Sequence, residues 1–145
     1  MSAEQTEQNK DLIRRWVAAG WNSGDYALVD TNYAPDYFIH DPNTPGFAGG
    51  RAAFKQYINT LRTALPDVNM TIEDMLADGD KIVWRFTVRA THNGPLLGIP
   101  ATGKYAAVTG IVISRFDSNG LWAEDWVNWD ALGLLQQIGV VPSAA

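Results

Sequence analysis

At 145 residues, with 46% hydrophobic side chains and no cysteine, the chain is long enough to bury one core as a single domain spanning residues 1–145, without disulfides. Its formal net charge is −5 and its eleven Lys and Arg are scattered singly, so no basic stripe exists to neutralise phosphates and nucleic acid is not an expected partner. No apolar run approaches the roughly 18 residues of a membrane span, and the opening MSAEQTEQNK is too polar for a secretory signal. The expectation is no membrane association and a cytoplasmic location, with which the absence of cysteine agrees.

Leu12, Ile13, Trp16 and Val17 fall at helical spacing, and Gly20 with Asn22-Ser23-Gly24 supplies a stop, which predicts a first helix from about Glu4 to Ala19. Asp25 suits the N-cap of a second, shorter helix ending near Tyr33, because Pro35 interrupts. Asp36 to His40 reads as a brief extended piece before a turn-rich loop, Asp41 to Gly50. Phe54, Tyr57, Ile58, Leu61 and Leu65 recur at three and four, so Arg51 to Leu65 is a third amphipathic helix, stopped by Pro66.

After Pro66 the period changes to two. Val68, Met70 and Ile72 alternate with polar residues, Asp78-Gly79-Asp80 turns the chain, and Lys81 to His92 returns with Ile82, Trp84, Phe86 and Val88 on one face. Tyr105 to Phe116 and Leu121 to Trp129 complete an antiparallel set joined at Asp117-Ser118-Asn119-Gly120, followed by a short helix from Asp130 to Gly139. The fold class is α+β: a sheet with one apolar face, covered by the three N-terminal helices.

Six Trp, five Tyr and five Phe are more large rings than a plain core of this size requires, and some of them are expected to line a cavity for an apolar or aromatic ligand. His92 shares the parity of Trp84, Phe86, Val88 and Ala90, which turns its ring to the apolar side; there it either meets a substrate oxygen or fixes the following loop. His40, before Asp41-Pro42, is a second candidate, with a turn or hinge role as the alternative. Asp125 is the candidate proton carrier of the last strand, the alternative being a solvated rim residue. Glu124 has the opposite parity and suits a cross-strand pair with Arg85, Arg89 or Arg115, while Asp130 suits the N-cap of the closing helix. No spacing of metal ligands, dinucleotide fingerprint or nucleophile elbow is present, so no metal or cofactor is expected.

The run Thr91-His92-Asn93-Gly94, the loop GIPATGK from Gly98 to Lys104, Gly110, Arg115, Asn119-Gly120 and the series Glu124, Trp126, Asp130, Gly133-Leu134-Leu135, Gln137-Ile138-Gly139 resemble the SnoaL-like polyketide cyclase family. The similarity reaches forward through His40-Asp41-Pro42 to the first helix. It implies the cone-shaped barrel of the NTF2-like superfamily with a curved antiparallel sheet, a deep apolar pocket, and a homodimer or homotetramer. It also implies that the His40 position lies near the pocket mouth, opposite the histidine of the long strand.

In family members that cyclise by aldol chemistry, the acid/base is an aspartate directly after the tryptophan of the last strand. Here that position is Val127, which cannot move a proton. Asp125 lies two residues earlier on the same face, roughly 7 Å away, and can take over. The function expected is therefore acid/base catalysis without a cofactor on a polyketide-like or polycyclic carbonyl compound, with Asp125 as acid/base and His40 and His92 as hydrogen-bond partners. Trp16, Tyr57, Trp84, Phe86, Val127 and Trp129 are the candidate substrate-binding walls. Two alternatives stand beside it: an epoxide-opening or hydroxylation-assisting enzyme, and a binding protein that holds an apolar small molecule without turnover.

Overall fold

A computed structural model describes residues 1–143 of the chain. Helix α1 (Ala3–Trp16) begins where the Ser2 hydroxyl accepts from the Gln5 N–H (3.0 Å), and it passes directly into a π-turn, Val17–Trp21. The single helix expected from Glu4 to Ala19 is thus two pieces of different pitch. Helix α2 (Ala27–Asn32) is capped at Tyr26, one residue beyond the expected cap, with the Asp25 carboxylate accepting from the Ala27 N–H at 3.0 Å. Strand β1 (Tyr33–His40) follows at once and is longer than the short extended piece expected. Helix α3 (Arg51–Ala64) is tied to its start, since the Arg51 guanidinium donates twice to the Tyr33 carbonyl (2.9 and 2.5 Å).

The strands β2 (Asn69–Asp78), β3 (Lys81–Thr91), β4 (Tyr105–Phe116) and β5 (Trp122–Trp129) pair antiparallel in chain order, as their alternation predicts. Strand β1 joins the far edge parallel to β5, giving the order β1-β5-β4-β3-β2 in a curved, unclosed mixed sheet. Parallel neighbours need a long crossover, and here everything from the loop after β1 to the end of β4 supplies it. Helix α4 (Ala131–Gln137) is capped by Asp130, which accepts from the Gly133 N–H at 2.8 Å.

One face of the sheet carries the core. Along β3 the residues Ile82, Trp84, Phe86, Val88 and Ala90 are buried, and along β4 Ala106, Val108 and Val112. They meet Leu12, Ile13 and Trp16 of α1 and Phe54, Tyr57 and Ile58 of α3, the stripes that the helical spacing marked. Gly110 allows this packing at one tight point: a Cβ there would overlap the Phe86 ring. Gln137 closes the end of β4 beyond the reach of β5, its amide accepting from the Ala107 N–H (2.8 Å) and donating to the Ala107 carbonyl (2.9 Å). No helix among the described residues is long and apolar enough to cross a membrane.

Candidate active site

Between the concave sheet face and helices α1 and α3 lies a cavity of about 90 Å³ that opens to solvent. All six candidate wall residues, Trp16, Tyr57, Trp84, Phe86, Val127 and Trp129, line it. The half-buried lining residues Trp21, Leu61, Leu65 and Trp129 mark its mouth. One carboxylate reaches the lining, that of Asp125. Alternation along β5 turns Asp125 inward with Val127, and its residue surface is 4% exposed.

Asp125 is held by three donors. The Ser114 hydroxyl (2.5 Å) and the Trp122 indole N–H (2.8 Å) both bond Oδ1, and the Tyr37 hydroxyl bonds Oδ2. Trp84 in turn donates its indole N–H to Ser114 Oγ at 3.0 Å. An indole can only donate, so the serine proton is directed at the carboxylate and the chain has a fixed polarity. Oδ2, with one donor against two on Oδ1, keeps the greater capacity to exchange a proton with a ligand.

Burial drives the electrostatics of this group. It raises the Asp125 carboxyl, the bonds from Ser114, Tyr37 and Trp122 pull it back, and the nearby Glu124 charge pushes it up again; the net result is a rise from 3.8 to about 6. Tyr37 moves well above its usual 10.0, first through burial and then through the Asp125 charge, so its hydroxyl stays a donor throughout the neutral range. A carboxyl that titrates near neutrality inside an apolar chamber can both take and return a proton.

The histidines do not join this group. His40 follows the inward-facing Ile39 on β1 and therefore points to the other side of the sheet, where it stacks on Trp126 (centroids 5.3 Å apart) and its Nε2 lies 2.6 Å from Glu124. Glu124 also accepts from Arg115 Nε at 3.1 Å, the cross-strand pair its parity predicted. Partial burial pushes Glu124 up, but the bonds from His40 and Arg115 prevail and leave it below its usual range.

His92 is on the inward parity and only 1% exposed, yet it does not line the cavity. Its Nδ1 accepts from the Thr102 N–H (3.3 Å) and lies 3.0 Å from the Thr102 hydroxyl, while its backbone is bonded to Gly103 and Lys104. The ring pins the loop between β3 and β4, the second of the two roles open to it. The expected convergence of His40, His92 and Asp125 on one space is therefore corrected to Asp125 alone, because the pleat of β1 and the 92–104 loop direct the imidazoles elsewhere.

Four polar residues of the region escaped the sequence reading. Tyr37 and Ser114 serve Asp125, as does Trp122. Asp41, read as a turn residue, is 6% exposed; besides closing a turn on the Asn43 N–H (2.9 Å), it accepts from the Tyr57 hydroxyl (2.8 Å) and the Trp129 indole N–H (3.3 Å), both of cavity residues. Ser114 shares the inward parity of Val112, a signal in the alternation that could have found it. Asp41 also borders an open recess beside His40, Phe47, Trp126 and Asn128, which adjoins the interior cavity at Ile39 and Val127. Among the described residues no three His, Asp or Glu stand close enough to hold a metal ion.

Solved structures share this architecture over nearly the whole chain. TsrD from Streptomyces laurentii is 30% identical, with 97% of this chain and 99% of that one covered and a TM-score of 0.81. A protein from Acidithiobacillus ferrooxidans, provisionally described as a polyketide cyclase, is 32% identical over 95% of this chain and 97% of its own, with a TM-score of 0.81. IdmH from Streptomyces antibioticus, described provisionally in the same terms, is 30% identical over 92% and 99%, with a TM-score of 0.78. Comparison with curated proteins gave no match. The profile of the SnoaL-like polyketide cyclases matches residues 11–138, and the chain belongs to that family.

Proposed function

We propose that the protein is an acid/base enzyme acting on a carbonyl compound of the polyketide-like or polycyclic kind, with Asp125 as the proton carrier. In the forward step the Asp125 carboxylate removes a proton from the carbon alpha to a carbonyl, leaving an enolate. The enolate carbon then attacks a second carbonyl of the same molecule, and the new alkoxide takes the proton back from Asp125 as the ring closes. A double-bond shift is the same cycle with the proton returned to carbon. The observation that carries the reading is a buried carboxyl, raised to about 6, in a chamber that is otherwise apolar.

The test is exchange of the alpha protons of 2-tetralone for deuterium, followed by NMR. Asp125→Asn is expected to lose at least about 100-fold in exchange rate, while His40→Ala stays close to the wild type. Equal exchange by wild type and Asp125→Asn defeats the proposal. A holding role without turnover is the second reading, favoured by the three protein donors that already satisfy Asp125; ligand binding with no exchange at all would select it.

The outer sheet face supports a dimer as part of the same proposal. Ile111 is 52% exposed and Ile113 36%, flanked by Arg85 and Val83 on β3 and by Asn128 and Trp126 on β5, a mixed surface suited to a second copy of the chain.

A further inference from the structure

The cavity wall holds few polar side-chain atoms, and most already have partners. The indole N–H of Trp84 is committed to Ser114, that of Trp122 to Asp125 and that of Trp129 to Asp41, and the Tyr57 hydroxyl is committed to Asp41. Left to meet a ligand are the Asp125 carboxyl and the indole N–H groups of Trp16 and of Trp21 at the mouth, for which no hydrogen bond is formed among the described residues. Every other lining side chain is Ile, Leu, Val, Met or Phe, and Val127 puts an isopropyl group beside Asp125 on the same strand face.

We propose that the cavity selects an oxygen-poor substrate: a largely hydrocarbon, alicyclic or polyene-derived skeleton whose oxygens are confined to the reacting functions brought to Asp125, with at most one more near the mouth. This rests on the reading of the cavity as the reaction chamber. A carbonyl drawn out of water and left without a donor lowers affinity by about tenfold or more, so a poly-β-carbonyl chain with several such groups beyond the reacting ones is rejected by the wall itself. The same wall favours methylene and methyl groups, which lose nothing on leaving water.

Calorimetric titration of the intact protein with two ligands of one ring size tests this. Decalin-1-one carries one oxygen, and 1,3,6,8-tetrahydroxynaphthalene carries four. The monoketone is expected to bind at least about tenfold more tightly, and Val127→Asp, which adds a second polar point to the wall, is expected to narrow that ratio. Equal affinities, tighter binding of the tetrahydroxy compound, or no heat from either ligand overturns the inference. Affinity is read here without turnover, so the two proposals fail separately: a monoketone preference with no exchange dependent on Asp125 sinks the acid/base reading alone, and exchange dependent on Asp125 without the preference sinks this one alone.

Discussion

Replacing Asp125 by asparagine should change how stability depends on pH, and the size follows from the burial of the carboxyl. The rise from 3.8 to about 6 corresponds to about 3 kcal/mol. Well below pH 3.8 the carboxyl is neutral in both the folded and the unfolded chain, and the folded state carries no charge penalty. As pH rises from about 4 to about 6, the unfolded chain gives up its proton while the folded chain retains it, so stability falls; above about 6 the full penalty remains. Asparagine keeps the shape and an acceptor for Ser114 and Trp122, but it never ionises. Asp67, whose carboxyl is held low by its bonds to Thr91, and Glu124 give slopes of the opposite sign, and these cancel between the two proteins. Urea unfolding at pH 4, 5, 6 and 7 is the assay. The stability of Asp125→Asn relative to wild type should improve by about 2 kcal/mol between pH 4 and pH 7, a relative movement of midpoints on the order of 1–2 M urea. That is a large part of the 5–15 kcal/mol typical of a whole domain. A difference that stays flat with pH would show that the buried carboxylate is not penalised, and the raised acidity range would be wrong with it.

Tyr37→Phe removes a donor that holds the Asp125 carboxyl down, so the acid limb of the pH–rate profile for proton exchange should move to higher pH; an unmoved limb would separate Tyr37 from the proton carrier. Gly110→Ala sets a methyl group against the Phe86 ring and 2.9 Å from Trp129 Cβ, which drives the ring toward the cavity. It should lower the melting temperature, at a cost of about 1–3 kcal/mol, and weaken decalin-1-one binding in the calorimeter. Light scattering at micromolar concentration should report a dimer for the wild type and a monomer for a variant with lysine in place of both Ile111 and Ile113.

The parts legible in the sequence are those set by local period. The faces of α1, α3, β3 and β4 follow from residues three, four or two apart, and the cap of α4 follows from Asp130. The shared face of Asp125 and Val127 on β5 was legible for the same reason, but not which side of the sheet that face meets. Strand direction was not: nothing in Tyr33 to His40 says that it pairs with a segment some 88 residues later, nor that it pairs in parallel. Of the donors to Asp125, Tyr37 was hidden by that same distance, since it belongs to the strand whose partner could not be read. His40 and His92 drew attention by residue type, but their roles are decided by Glu124 and Thr102, contacts that no periodicity encodes.

The pairing of the first strand with the last also sets when this chamber comes into being. A growing polypeptide carries Tyr33, Tyr37 and Phe54 from its early portion with no Trp122 to stack on and no carboxylate to accept from Tyr37 until the final hairpin has emerged. Contacts so remote in sequence form slowly, because a long loop must close before they repay it. Assembly of the Asp125 cluster and completion of the sheet are then a single late event, and a chain halted before its last strand lacks the cluster altogether.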